Sequence, residues 1–216
     1  MLEKWLDFLY PPCCGFCGKE NSTFLCEDCF YYLKKEKLLW LKQKEKGKKQ
    51  DYDEILWAYR YENEIRNSMI KYKFEGQSYL HATFSELLIK NKKIYAFLKK
   101  YDTMLTVPTE RKKQALRGFS PTYLIAKDLA IKCGLRIDKN NLKKIRRTKP
   151  QSTLNREERK INLKGAFLLR KPEELKGKNV VLLDDVYTTG STITECCKVL
   201  KKANLNRLGI LIIAKD

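Results

Sequence analysis

The sequence predicts an α/β protein, a mainly parallel sheet with helices on both faces, joined to a small N-terminal metal-binding module. Three observations predict it. Val180-Val181-Leu182-Leu183 is an unbroken apolar run followed by Ile193, Cys196, Cys197 and Leu200 at helical spacing, as a strand buried on both faces and its crossover helix require. Met104–Val107 and Leu208–Ala214 are further β-rich runs set among helical patterns, and such alternation implies parallel pairing. Cys14-x-x-Cys17 and Cys26-x-x-Cys29 form a double pair near the start of the chain.

In chain order, residues 1–12 read as a short amphipathic helix with Leu2, Trp5, Leu6 and Leu9 on one face, stopped by Pro11-Pro12. The cysteine pairs follow. Phe30 to Lys49 reads as a Lys-rich helical or linker segment, wholly polar after Leu41, which divides the chain into modules 1–50 and 51–216. Glu54–Tyr61 reads as a strand, Ile65–Phe74 as a helix ended by Gly76, and Tyr79–Ile89 as a second helix. Met104–Val107 is a buried strand closed by Pro108, followed by a basic loop with Arg111, Lys112, Lys113 and Arg117. Pro121–Cys133 is a helix, 180–183 a strand, 192–203 a helix and 208–214 the last strand. Cys133, Cys196 and Cys197 sit at apolar-periodic positions and are expected as core thiols.

Composition bounds the function. Of 216 residues 43% are hydrophobic, which excludes global disorder, and no run of ~18 apolar residues offers a membrane span. Met1 to Asp7 carries acids where a signal peptide needs basic charge, so the expected location is cytoplasmic, with peripheral attachment at the inner face of the membrane as the variant. Lys and Arg number 45 against 26 Asp and Glu, a net charge of +19 that favours polyanionic partners. The excess is mostly lysine and scattered, as a solvated surface would be, but two stretches concentrate it: eight lysines between Lys34 and Lys49, and six basic residues without an acid between Lys139 and Lys149.

Two C-x-x-C turns can present four thiolates to one ion, so Cys14, Cys17, Cys26 and Cys29 are expected to hold a structural zinc, with Cys13 a competing ligand. A closed four-cysteine site leaves no position for catalysis. The chemistry is expected at Asp184-Asp185-Val186-Tyr187-Thr188-Thr189-Gly190-Ser191-Thr192. Ligands of open α/β sheets bind where strands end, and a hydroxyl-rich loop at a helix N-terminus suits a phosphate. Two acids just before it would repel that phosphate unless they grip sugar hydroxyls or a metal on the same ligand, which implies a phosphorylated ribose. The competing explanation is a capping box, Thr192-x-x-Glu195, which needs one hydroxyl and no acid pair. No Lys follows Gly190, so the loop is not a Walker loop.

This segment resembles the signature of type I phosphoribosyltransferases, which bind 5-phosphoribosyl 1-pyrophosphate. The resemblance implies that Asp184 and Asp185 hold the ribose 2- and 3-hydroxyls, that Thr188, Thr189, Gly190, Ser191 and Thr192 cradle the 5-phosphate, and that Mg2+ bridges pyrophosphate and ribose oxygens. Arg117-Gly118-Phe119, Arg147-Thr148-Lys149-Pro150-Gln151-x-x-Leu154, Arg159-x-x-Asn162, Gly165-Ala166-Phe167, Tyr72-Lys73-Phe74-x-Gly76 and the double cysteine pair narrow it: together they resemble the ComF family of competence proteins. Two departures stand out. Ser120-Pro121 replaces the family's Asn-Gln, and Val107-Pro108-Thr109 stands where Pro-Val-Pro is common, at the expected pyrophosphate loop.

By that resemblance, Thr109 and Arg111 join the ligand set and Arg117, beside a flexible Gly, closes over the leaving pyrophosphate. Transfer would pass through a cation-like ribose, so catalysis would be positioning and charge neutralisation by Asp184, Asp185 and Arg117. No general base declares itself, and His81 is expected to be structural. The family implies support of DNA uptake, with single-stranded DNA or a DNA-uptake or helicase protein as partner. Phe30, Tyr31 and Tyr32 are candidates for base stacking or for local packing. Two other readings stand beside it: a housekeeping transferase acting on a base or amine, and a zinc-ribbon adaptor for single-stranded DNA with a vestigial pocket.

Overall fold

A computed structural model describes residues 13–43, 51–148 and 156–216. The expected helix over 1–12, the polar end of the Lys-rich segment and the Lys149–Leu154 part of the family block lie outside the described residues. A six-stranded sheet runs in the order β1-β2-β8-β7-β3-β4, built from β1 (Lys37–Gln43), β2 (Glu54–Arg60), β3 (Thr103–Thr106), β4 (Arg136–Ile137), β7 (Asn179–Tyr187) and β8 (Arg207–Lys215). All neighbours pair in parallel except β1, which lies antiparallel on β2.

The central strands are apolar throughout because both faces are buried. Along β7, Val181 and Leu183 belong to one core while Val180 and Leu182 belong to the other. The first core receives helices α2 (Asn63–Phe74), α3 (Leu80–Ile89), α4 (Lys92–Leu98) and α6 (Pro121–Cys133). The second receives α8 (Ser191–Leu200) together with a flap made of the hairpin β5 (Leu142–Lys144)–β6 (Phe167–Leu169) and helix α7 (Arg156–Leu163). Cys133, Cys196 and Cys197 are buried, as expected of core thiols.

Three elements differ from expectation. The Lys-rich segment holds a helix, α1 (Glu27–Leu33), and then strand β1, where a helix or linker was expected. β1 is an edge strand, where lysines protect the open hydrogen-bonding side, and its Trp40 stacks 4.9 Å from Trp57 of β2. The basic loop is instead helix α5 (Arg111–Arg117), ended by Gly118 at φ +76. The helix after β7 stops at Leu200 and tightens to a 3-10 turn over Lys201–Ala203. By contrast α6 spans residues 121–133 as read, with Pro121 at its first turn and Gly134 left-handed after its end. No helix among the described residues is long and apolar enough to cross a membrane.

The cysteine segment packs on the first core. Cys14 and Leu25 are buried there, and Phe16 meets Phe84 of α3 edge-to-face at 5.8 Å. At the far end of β7, Tyr101 donates to Glu54 at 2.7 Å and lies so close to Gly209 of β8 that an added Cβ would come 1.9 Å from its hydroxyl oxygen. Gly209→Ala is therefore expected to cost about 1–3 kcal/mol of overpacking. Urea denaturation that shows no loss would contradict this packing.

Candidate functional site

The parallel strands β3 and β7 end side by side, with Val107 N–H donating to Leu183 O at 2.9 Å. Beyond that edge opens a cleft of about 520 Å³. Asp184 and Asp185 from β7, Thr109 after β3, Arg117 from α5, and Thr188 and Thr192 around the start of α8 all line it. Six of the residues expected in the ligand site therefore meet around one space. Thr189 and Ser191 do not: their hydroxyls, 3.1 Å apart, face a separate cavity of about 550 Å³ bordered by Tyr187 and Lys198. Gly190 is the helix cap at φ +75, and a Cβ there would come 2.3 Å from the Tyr187 hydroxyl oxygen, so this turn accepts only glycine. Arg111 opens α5, before Arg117.

The two acids occupy unlike environments. Lys73 Nζ lies 2.8 Å from Asp185 Oδ1, and Thr122 donates to Asp185 Oδ2 at 3.2 Å. Burial works to raise the Asp185 pKa, but the Lys73 charge, its hydrogen bond, the Val186 N–H and the Thr122 hydroxyl outweigh it and hold the carboxyl below its ordinary value. Asp184 accepts one bond from the Asp185 N–H, at 3.0 Å. Burial first, then the neighbouring Asp185 charge, pushes its pKa up, and Lys73 offsets only part of this.

Lys73, Phe74, Thr122, Glu110, Lys144 and Thr148 also line the cleft, and none was assigned a site role from sequence. Lys73 had a signal: it sits next to Tyr72 in the quoted Tyr-Lys-Phe segment, and a buried acid pair requires a cation. Tyr72 fixes this stretch of α2 by donating to Pro121 O at 2.7 Å. Pro121, one of the two departures noted above, thus supplies a backbone acceptor, and the next residue, Thr122, supplies the hydroxyl on Asp185. Phe74 carries the Arg117 guanidinium 4.8 Å above its ring, so α2 and α5 meet over the cleft mouth. His81 instead pairs with Asp128 at 2.6 Å, between α3 and α6.

At the cysteine segment, the Sγ atoms of Cys14, Cys17, Cys26 and Cys29 lie within 4.8 Å of one another. Four thiolates ~2.3 Å from one zinc stand ~3.8 Å apart in a tetrahedron, and the Cys17–Cys26 separation is 3.7 Å. The cluster can hold a metal ion. Cys13 contributes its backbone to an isolated bridge with Glu20 and is not part of the cluster.

The phosphoribosyl transferase domain family matches residues 115–216, the part of the chain that carries Asp184, Asp185 and α8. Competence protein F of Haemophilus influenzae is 27% identical over 208 residues, covering 94% of this chain and 85% of that protein. Competence protein ComFC of Streptococcus pneumoniae is 27% identical over 190 residues, covering 88% and 74%. DNA utilization protein YhgH of Salmonella typhimurium is 33% identical over 131 residues, covering 59% of this chain and 57% of its own length. The chain thus spans little more than half the length of the YhgH relatives. Among solved structures, a hypoxanthine phosphoribosyltransferase from Staphylococcus aureus aligns at 14% identity and TM-score 0.39, over 62% of this chain and 63% of that one. The homologues named for competence and the matched domain support a ComF-family protein with a phosphoribosyltransferase fold.

The acid pair has a pH signature. Asp185, held low, contributes stability present above about pH 4 and lost as pH falls through its depressed value. Asp184, held high, favours the fold below about pH 4 and loses that contribution as pH rises through its raised value. Asp184→Asn should thus stabilise the ligand-free protein at pH 7–8, each ~1 kcal/mol raising Tm by ~2–4 °C. Lys73→Met should destabilise it at pH 7 by about 1–3 kcal/mol, less than the ~3–5 kcal/mol of a fully enclosed pair, because its members keep 14% and 17% exposure. Thermal denaturation from pH 3 to 9 checks both, and opposite signs would refute the electrostatic assignment.

Proposed function

We propose that the cleft binds 5-phosphoribosyl 1-pyrophosphate and that the protein uses this ligand in the handling of incoming DNA. The observation that carries the reading is the meeting of the Asp184–Asp185 pair, the Thr188/Thr192 end of α8 and Arg117 around one cleft. The acids accept from the ribose 2- and 3-hydroxyls. The α8 N-terminus, with its hydroxyls, receives the 5-phosphate, where the helix dipole favours negative charge. Lys73 keeps Asp185 ionised, so that it accepts and does not donate. Arg117, steadied on Phe74, and Thr109 face the pyrophosphate end.

Asp184 and Asp185 are hard oxygen donors of the kind Mg2+ prefers, and the bound ion would supply charge neutralisation to pyrophosphate. If pyrophosphate leaves, this chain's part is to orient the ribose and neutralise the departing charge with Arg117 and Lys144. The competence names of the relatives support a role in DNA uptake, with single-stranded DNA or a DNA-uptake or helicase protein as partner. The cysteine cluster holds zinc as a structural ion, and its four sulfurs leave the metal no open position.

Calorimetric titration with phosphoribosyl pyrophosphate and Mg2+ tests the cleft. Asp185→Asn keeps an oxygen for Lys73 but loses the charge that accepts from ribose, so affinity should fall about 10–100-fold, as for loss of one or two charged hydrogen bonds at roughly 1.5 kcal/mol each. Unchanged affinity in the folded variant would remove the assignment. For the metal, elemental analysis should find one zinc per chain, lost together with thermal stability in Cys14→Ser or Cys29→Ser; full zinc content in both variants would refute the four-cysteine site.

A further inference from the structure

A cavity of about 450 Å³ opens where the cysteine segment, α3 and α6 meet. Among the described residues it shares no lining side chain with the phosphoribosyl cleft. Its walls are apolar: Phe24 from between the two cysteine pairs, Tyr79 and Ala82 at the start of α3, and Ile131 of α6. Phe24, Tyr79 and Ile131 stay 39%, 48% and 70% exposed, so packing within the chain leaves this surface uncovered. A concave space of this size, with apolar walls and a few converging polar groups, suits a small molecule.

Those polar groups present acceptors. His81 Nδ1 lies 2.6 Å from Asp128 Oδ2. Ser85 shares its hydroxyl proton between that same oxygen, at 3.1 Å, and Ala82 O, at 2.9 Å. Burial works to raise the Asp128 pKa, but the bond and charge of His81, the Ser85 hydroxyl and the Lys132 charge outweigh it and hold the carboxyl below its ordinary value. Asp128 is therefore ionised, and Nδ1 carries the proton of the bond between them. Tyr79 donates its own hydroxyl proton to Gln77 Oε1 at 3.0 Å. The hydroxyl protons around the cavity are thus engaged, while Asp128 Oδ1 has no bonded partner among the described residues. Glu86, one turn beyond Ala82, keeps a buried carboxylate oxygen that finds no hydrogen-bond partner. Lys132 is the one permanent cation lining the cavity among the described residues, and its exposed, flexible stem leaves the acids room for another.

A carboxylate oxygen shielded from water without a donor costs free energy, which favours a ligand that brings N–H groups and positive charge. The rings of Phe24 and Tyr79 attract the same charge over their faces. An anion would meet two acids here, and a plain hydrocarbon would leave the acceptors unpaired. We propose that this cavity is a binding site for a small organic cation, an amine or guanidine on an apolar stem, with Asp128 and Glu86 receiving its N–H groups. The site does not rest on the phosphoribosyl reading.

His81 is the only histidine of the chain, so its ring protons give an isolated NMR signal at the cavity. Titrations at neutral pH with phenethylamine, agmatine, 2-phenylethanol and phenylacetate read out the charge preference. The cations should shift the His81 signals saturably, and the alcohol and the acid should bind at least about tenfold more weakly, because neither brings a charged donor. Ile131→Lys sets a like charge on the exposed rim and should weaken phenethylamine about three- to tenfold; Lys132→Gln removes one and should tighten it by a similar factor. Glu86→Gln with Asp128→Asn should abolish saturation, and if that double variant does not fold, the two rim variants decide, since both lie in solvent. The proposal is overturned if neither cation binds, if the alcohol or the acid binds as tightly, or if the rim variants leave affinity unchanged or move it in the same direction.

Discussion

The site depends on one electrostatic requirement: two adjacent carboxylates at the end of a strand buried on both faces need a cation beside them. Lys73 meets it at 2.8 Å, and the elements that bring Lys73 there define the cleft. α2 must cross the sheet edge at that height, and Tyr72 locks it by its bond to Pro121 O. α6 must begin there too, because its Thr122 supplies the second partner of Asp185. The partition of one cation between two acids leaves Asp185 satisfied and Asp184 not. Hydroxyl donors of the proposed ligand would relieve that imbalance.

The same packing reaches back to the cysteine cluster. Phe16, beside the first cysteine pair, meets Phe84; Phe84 lies 5.9 Å from Tyr72; and Tyr72 lies 5.5 Å from Phe119, next to Arg117-Gly118. Gly15 lets the knuckle sit directly on α3, where a Cβ would come 2.2 Å from Thr83 Oγ1. Lys90, just after α3, closes the contact from the other side by pairing with Glu27 at 2.8 Å. The cysteine turns are thus packed into the core beside Lys73. A segment of this size buries little apolar surface of its own, so its docking face on the core contributes to its order, and a metal held by the four cysteines would add to it.

What the sequence made legible follows from how local the signals were. β7, α8 and α6 were readable because apolar runs, helical spacing, Pro121 and Gly134 all act within one element. β1 was hidden because lysine is a poor strand former, and only the stacking of Trp40 on Trp57 and pairing with β2 explain its conformation. α5 was hidden because its Leu116 is 79% exposed and no apolar stripe marks it. The flap strands have three residues each, too short for a period. Lys73 was missed for a different reason: its role is fixed by a partner 112 positions along the chain, and no spacing rule reports that.

The hydroxyl loop shows how function and helix chemistry compete at one position. A Ser, Thr or Asp cap would contribute about 1 kcal/mol to α8. The cap is Gly190, no side chain caps the helix, and the Thr192-x-x-Glu195 box does not close on it. Instead, Thr194 donates to Gly190 O at 3.0 Å, while Glu195 is held by Lys198. The left-handed turn at Gly190 sends Thr188 and Thr192 to the cleft and Thr189 and Ser191 to the opposite side. A loop selected for helix stability alone would have placed an oxygen over the first N–H groups; this one keeps that end of the helix toward the cleft without a side-chain acceptor. Forgoing the cap is consistent with an anion filling its place, because a phosphate oxygen satisfies the same donors and carries more charge than a serine hydroxyl.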